Sequence, residues 1–168
     1  MTSYQDLFSI GEAFDTFVGR GLPAEIATVR RIQQQLAETN ALSPATLERL
    51  RAVRGRVHLL AAGEMWCPDC QINLTVLDHL QRVQPNITLA VITKSRAEQA
   101  LKAPLALERI SIPFVLVLDD AFHMLGRFVE SPEAVVSGGD AVRADYRAGR
   151  FLENTVLDVL AILEAPRP

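Results

Sequence analysis

Cys67 and Cys70, the only cysteines of the 168-residue chain, stand three positions apart, with Pro68 and Asp69 between them and the single tryptophan, Trp66, directly before. Two thiols at this spacing can exchange electrons with a disulfide, provided the first is held as a thiolate. An apolar run, Val57 to Ala62, leads into the pair, and a helical pattern from Pro68 to about Val83 leads out. With Cys67 as the N-cap and Pro68 in the first helical position, the Cys67 sulfur faces unpaired backbone N–H groups. Those donors and the positive end of the helix dipole favour thiolate over thiol. Cys70 lies one turn on, close enough for a disulfide and deeper in the fold. Cys67 would attack a substrate disulfide, and Cys70 would resolve the mixed disulfide.

Other chemistries use the same spacing. Structural zinc takes four protein ligands, and the three histidines, His58, His79 and His123, are not spaced as a ligand pair. A structural disulfide closing so small a ring would stabilise little by the loop-entropy argument. Two inert buried thiols are the third option. The strand before, the helix after and the adjacent Trp66 favour redox use.

A hydrophobic fraction of 49% and a charged fraction of 22% are those of a globular protein with a substantial core. The net charge of −3 gives no sign of a nucleic-acid or anionic-membrane partner, and no apolar run is long enough to span a bilayer. The start, Met1-Thr2-Ser3-Tyr4-Gln5-Asp6, lacks the basic and apolar stretches of a secretory signal. A cytoplasmic location, where thiols stay reduced, is therefore expected.

The elements that must position the pair can be read from periodicity. Residues 1 to about 54 read as three helices. Tyr4, Leu7, Phe8, Phe14, Phe17 and Val18 share one helical stripe, broken by Gly19, Gly21 and Pro23. Ile26, Val29, Ile32 and Leu36 form a second stripe. Ser43-Pro44 opens the third helix, which runs to Gly55. Arg49, Arg51, Arg54 and Arg56 read as a solvated face. Strands follow at Val57–Ala62, Ile87–Thr93 and Phe114–Asp119, separated by helices at 68–83 and 95–109, the latter interrupted at Pro104. Strand, helix, strand, helix, strand is the pattern of parallel crossover units. Met124 to Glu130 returns as a hairpin partner, and helical stretches from Ser131-Pro132 to about Leu163 close the chain.

Together these features resemble the thioredoxin superfamily over about residues 56 to 165. The resemblance rests on Trp66-Cys67-Pro68-Asp69-Cys70 after the first core strand, Ile112-Pro113 just before the third, and the hairpin beyond. It implies an α/β thioredoxin-like fold: a central mixed sheet flanked by helices, with residues 1–55 as a helical extension packed on a domain of residues 56–168. It also implies a cis Ile112–Pro113 bond facing the cysteines, Cys67 as nucleophile, Cys70 as resolver, and Trp66, Pro68, Asp69, Ile112 and Pro113 shaping the site. The extension places the chain nearest a bacterial thioredoxin-like branch.

Two departures from the family bear on mechanism. Thioredoxins carry a buried acid six residues before the first cysteine, and Ala61 stands there. Glu64 is expected to be exposed and a poor substitute, which leaves water or Asp69 to carry the proton. Strong oxidases of the superfamily place a histidine next to the second cysteine, and Asp69 stands there instead. Its repulsion of a thiolate, about 1 kcal/mol, is comparable to its gain at the helix N-terminus. A reducing or mildly isomerising couple is expected. The function implied is a thiol–disulfide oxidoreductase acting on protein or small-molecule disulfides, with no organic cofactor or metal and with a thiol reductase or glutathione as electron donor. The alternatives are a glutaredoxin-like iron–sulfur carrier, or a thioredoxin-fold binding module without turnover.

Overall fold

The computed structural model describes residues 2–167. The strand leading into the cysteines, β1 (Val57–Ala62), lies inside a four-stranded mixed sheet. Its neighbours are β2 (Ile87–Ile92), parallel to it, and β3 (Phe114–Leu118), antiparallel to it; β4 (Met124–Val129) pairs with β3 as a hairpin. The strand order is β2-β1-β3-β4. Leu59, Leu60, Ala61 and all of β3 are buried, as strands covered on both faces by helices must be.

Only the first crossover is parallel. Ala62 at the end of β1 is opposite Ile92, the last residue of β2, and also opposite Phe114, the first residue of β3. The chain therefore leaves β2 and enters β3 at the same end of the sheet. The expected second parallel crossover is thus corrected. The helix after β2, Lys94–Leu101, has eight residues instead of reaching Arg109. Pro104 disfavours helix at the residue before it, and turns carry residues 102–113 back to the end of the sheet from which the helix started. Thr93, expected to end β2, instead caps this helix by accepting the Arg96 N–H at 3.1 Å.

The N-terminal part also differs from expectation. Among the described residues, four helices precede β1: α1 (Tyr4–Ile10), α2 (Phe14–Val18), α3 (Pro23–Leu36) and α4 (Pro44–Arg51). The first stripe is split because Glu12 leaves the helical path and pairs as a single residue with Val91, through N–H···O bonds of 2.8 and 2.9 Å. Gly11 makes this approach possible, since a Cβ there would lie 2.7 Å from the Ala90 Cβ. Leu7, Phe14, Phe17, Val29, Ile32, Leu36 and Leu50 belong to the same buried cluster as the strands. Ser43 and Pro44 cap and open α4 as expected, but α4 stops at Arg51, ahead of Gly55. Arg49 is not simply solvated: it forms a two-pronged ion pair with Glu164.

Helix α5 spans Pro68–Val83 with Ile72, Leu74, Val76, Leu77 and Leu80 buried. In chain order the helix after β2 is α6, and α7 (Glu133–Gly138), α8 (Asp140–Arg147) and α9 (Leu152–Glu164) follow the hairpin. No helix among the described residues is long and apolar enough to cross a membrane.

Candidate active site

Cys67 is the N-cap of α5, in extended backbone conformation, and Pro68 takes the first helical position. The Cys70 N–H donates to the Cys67 sulfur at 3.4 Å. Both cysteines are free thiols. Gln71, itself buried, donates from Nε2 to the Met65 carbonyl at 2.6 Å and pins the loop that delivers Cys67. Gly63 lets this loop close on the helix: a Cβ there would lie 2.6 Å from the Leu74 Cδ1 and 3.2 Å from the Cys70 sulfur.

The two thiols are electrostatically unlike. Hydrogen bonding from the Cys70 side chain lowers the Cys67 pKa from an ordinary 9.0 to about 7. Burial opposes this shift, the Cys70 and Asp69 N–H groups assist it, and the Asp69 charge opposes it. Burial pushes Cys70 strongly the other way, reinforced by its bond to Cys67. Cys70 has no exposed surface, and Cys67 is 6% exposed, less open than an N-cap position suggests. An attacking thiolate beside a protonated resolver is the asymmetry that thiol–disulfide exchange uses.

The loop before β3 closes the site from the other side. The Ile112–Pro113 peptide bond is cis. The Cys67 thiol donates to the Ile112 carbonyl at 3.7 Å. Both loop residues are buried, whereas Trp66 on the opposite flank is 62% exposed. Shared strand ends bring these parts together, because β1 delivers Cys67 where β3 begins.

Asp69 does not stand free between the cysteines. Its Oδ1 accepts the Tyr146 hydroxyl at 2.7 Å and lies 3.7 Å from Arg147 Nη1. Tyr146 in turn accepts from Asn73 Nδ2 at 2.8 Å. Asn73 Oδ1 accepts the Thr155 hydroxyl at 2.7 Å. Sequence reasoning missed Tyr146, Arg147, Asn73 and Thr155. The one local signal was Asn73, a fully buried amide on α5, which it shares with the buried polar residues Gln71, Thr75 and Asp78.

Glu64 is half-buried rather than exposed, and burial raises its pKa. It lines a cleft of about 230 Å³ with Glu12, Arg20, Trp66 and Thr93, between α2 and the ends of β1 and β2. The cleft lies behind Trp66, and neither cysteine lines it.

Residues 17–143 match the family described as thioredoxin. The match begins in α2 and takes in α3 and α4, so those helices fall inside the family pattern, not ahead of it. The crystal structure of a protein of unknown function from Pseudomonas aeruginosa is 58% identical, with a TM-score of 0.95 and 98% of each chain covered. That of an HIV epitope-scaffold is 56% identical, with a TM-score of 0.94, covering 98% of this chain and 99% of that one. Histidinol-phosphate aminotransferase of Staphylococcus epidermidis is 22% identical over 138 residues, which are 82% of this chain and 37% of the enzyme. The enzyme of the same name from Staphylococcus saprophyticus is 24% identical over 140 residues, 82% of this chain and 37% of the enzyme. The chain thus spans little more than a third of the length of these relatives.

Proposed function

The chain belongs to the thioredoxin family, and from that premise we propose that it is a thiol–disulfide oxidoreductase that reduces protein or small-molecule disulfides. The observation that carries this reading is the asymmetry of the pair: a Cys67 sulfur at a helix N-cap, with its pKa near 7, beside a fully buried, protonated Cys70. Cys67 thiolate attacks one sulfur of the substrate disulfide, forming a mixed disulfide and releasing the other sulfur as a thiol once protonated. Cys70 loses its proton and attacks Cys67. The Cys67–Cys70 disulfide forms, the second substrate thiol leaves, and two electrons have passed to the substrate. A thiol reductase or glutathione returns them in the cytoplasm. Trp66 and the Ile112–Pro113 loop flank the entering substrate.

We place the chain in a bacterial thioredoxin-like branch that carries helices ahead of the first core strand together with the Trp66-Cys67-Pro68-Asp69-Cys70 motif. The aminotransferase chemistry named for the staphylococcal relatives has no use for a dithiol, so it is not carried to this chain.

The test is reduction of insulin disulfides driven by dithiothreitol. The intact protein should accelerate the reaction, and Cys67→Ser should abolish the acceleration. Cys70→Ser should accumulate a mixed disulfide on Cys67. An intact protein that gives no acceleration, and a Cys70→Ser variant that captures nothing, would remove the redox reading.

A further inference from the structure

We infer that Tyr146, with Arg147 beside it, is a positioning residue for the redox pair: it ties the Asp69 carboxylate away from the Cys67 sulfur and blunts its charge. The role rests on the redox reading for its purpose. Its signature, the ionisation of a thiol, can be read without any turnover.

The direction of every bond in the chain of polar groups is determined. Asn73 Nδ2 faces two backbone carbonyls, those of Asp69 and Glu130, each at 3.0 Å. Carbonyls only accept, so the amide nitrogen must point at them and Oδ1 must point at Thr155. Thr155 therefore donates. The same amide nitrogen lies 2.8 Å from the Tyr146 oxygen, shares its two protons among these three acceptors, and cannot itself accept a proton from Tyr146. The one proton of Tyr146 is then left for Asp69 Oδ1, at 2.7 Å. That bond is charge-assisted and correspondingly strong.

Burial makes the arrangement stiff. Tyr146 is 1% exposed, and Asn73 and Thr155 have no exposed surface. A buried tyrosine hydroxyl without a partner is costly, so the ring holds Asp69 as firmly as Asp69 holds the ring. Arg147 Nη1 is buried and has no hydrogen-bond partner, and Asp69 is the carboxylate it faces, at 3.7 Å. The groups that act on the Cys67 sulfur are Cys70 and Asp69 of its own helix. From α8 come Tyr146 and Arg147, acting through Asp69. The nearby Glu64 supplies a backbone N–H to Cys70.

The test titrates the ultraviolet absorbance of the Cys67 thiolate in the reduced full-length protein. Tyr146→Phe keeps the ring and removes the bond. Its midpoint should rise by about 0.5, because the freed carboxylate turns its charge on the sulfur. Arg147→Gln, at a half-exposed position, should raise it in the same direction. Asp69→Asn should lower it, and adding Tyr146→Phe to Asp69→Asn should change nothing further. Unmoved midpoints in both Tyr146→Phe and Arg147→Gln would overturn the inference. So would a Tyr146→Phe effect that persists with Asn at position 69, since that would be general repacking. If Tyr146→Phe fails to fold, the Arg147→Gln midpoint alone decides the matter. Insulin reduction by the intact protein is scored separately. Midpoint shifts without reductase activity would leave this inference standing and overturn only the redox reading.

Discussion

At the scale of the residue, Cys67 and Cys70 differ because one sits at a helix end and the other inside the first turn. A thiol whose pKa falls from 9.0 to about 7 on folding binds its proton less tightly in the native state. Between pH 7 and 9 the unfolded chain then holds more protons at Cys67, so stability from this group rises with pH and is lost as pH falls through 7. Cys70 works in the opposite sense. Its raised pKa keeps it protonated when folded, so above about pH 9 ionisation of the unfolded thiol draws the chain toward unfolding. Denaturant titration of the reduced protein should therefore show a gain over Cys67→Ser between pH 7 and 9. That gain should be offset by the Cys70 penalty at higher pH. Iodoacetamide should label Cys67 with a rate midpoint near pH 7 and leave Cys70 unlabelled in the native state. Dominant label on Cys70, or a midpoint near 9, would contradict this assignment.

At the scale of the element, the start of α5 depends on how closely β1 can hand over to it. Gly63 permits that approach, and the atoms a side chain would meet, on Leu74 and Cys70, belong to fully buried residues. Gly63→Ala should therefore overpack the junction and cost about 1–3 kcal/mol in urea unfolding. It should also displace Cys70 relative to Cys67, so oxidation of the pair by glutathione should slow. Unchanged stability would mean that the loop yields freely. The short α6 matters for the same site. By stopping at Leu101 it lets residues 102–113 bring Ile112 and Pro113 back to the end of the sheet where Cys67 lies.

At the scale of the molecule, the N-terminal helices and the sheet share one buried cluster. Val29, Ile32 and Leu36 of α3 are buried, and Glu12 completes the outer edge of β2. A chain beginning at Arg56 would expose this apolar surface and leave the edge of β2 unpaired. It should lose its cooperative thermal transition and aggregate. A sharp transition at the temperature of the full chain would show that the core stands without the helices.

The placement of Cys67 and Cys70 at the start of α5 was legible in the sequence because it is local. A strand run, an N-cap position, a proline at N1 and a three-residue spacing are properties of adjacent residues, and α5 begins and ends where they say. The strands β1 and β4 were legible for the same reason. The direction of β3 was not, because a sequence pattern of alternating elements does not say at which end of the sheet a connection closes. The split between α1 and α2 was hidden in a continuous helical stripe, and only the pairing of Glu12 with Val91 accounts for it. The environment of Asp69 was the least legible of all. Local reasoning set its charge against the thiolate, but the partners that receive that charge, Tyr146 and Arg147, lie more than seventy positions away in the chain. A hydrogen bond depends on which groups packing brings within about 3 Å, and for residues that far apart only the tertiary fold decides it.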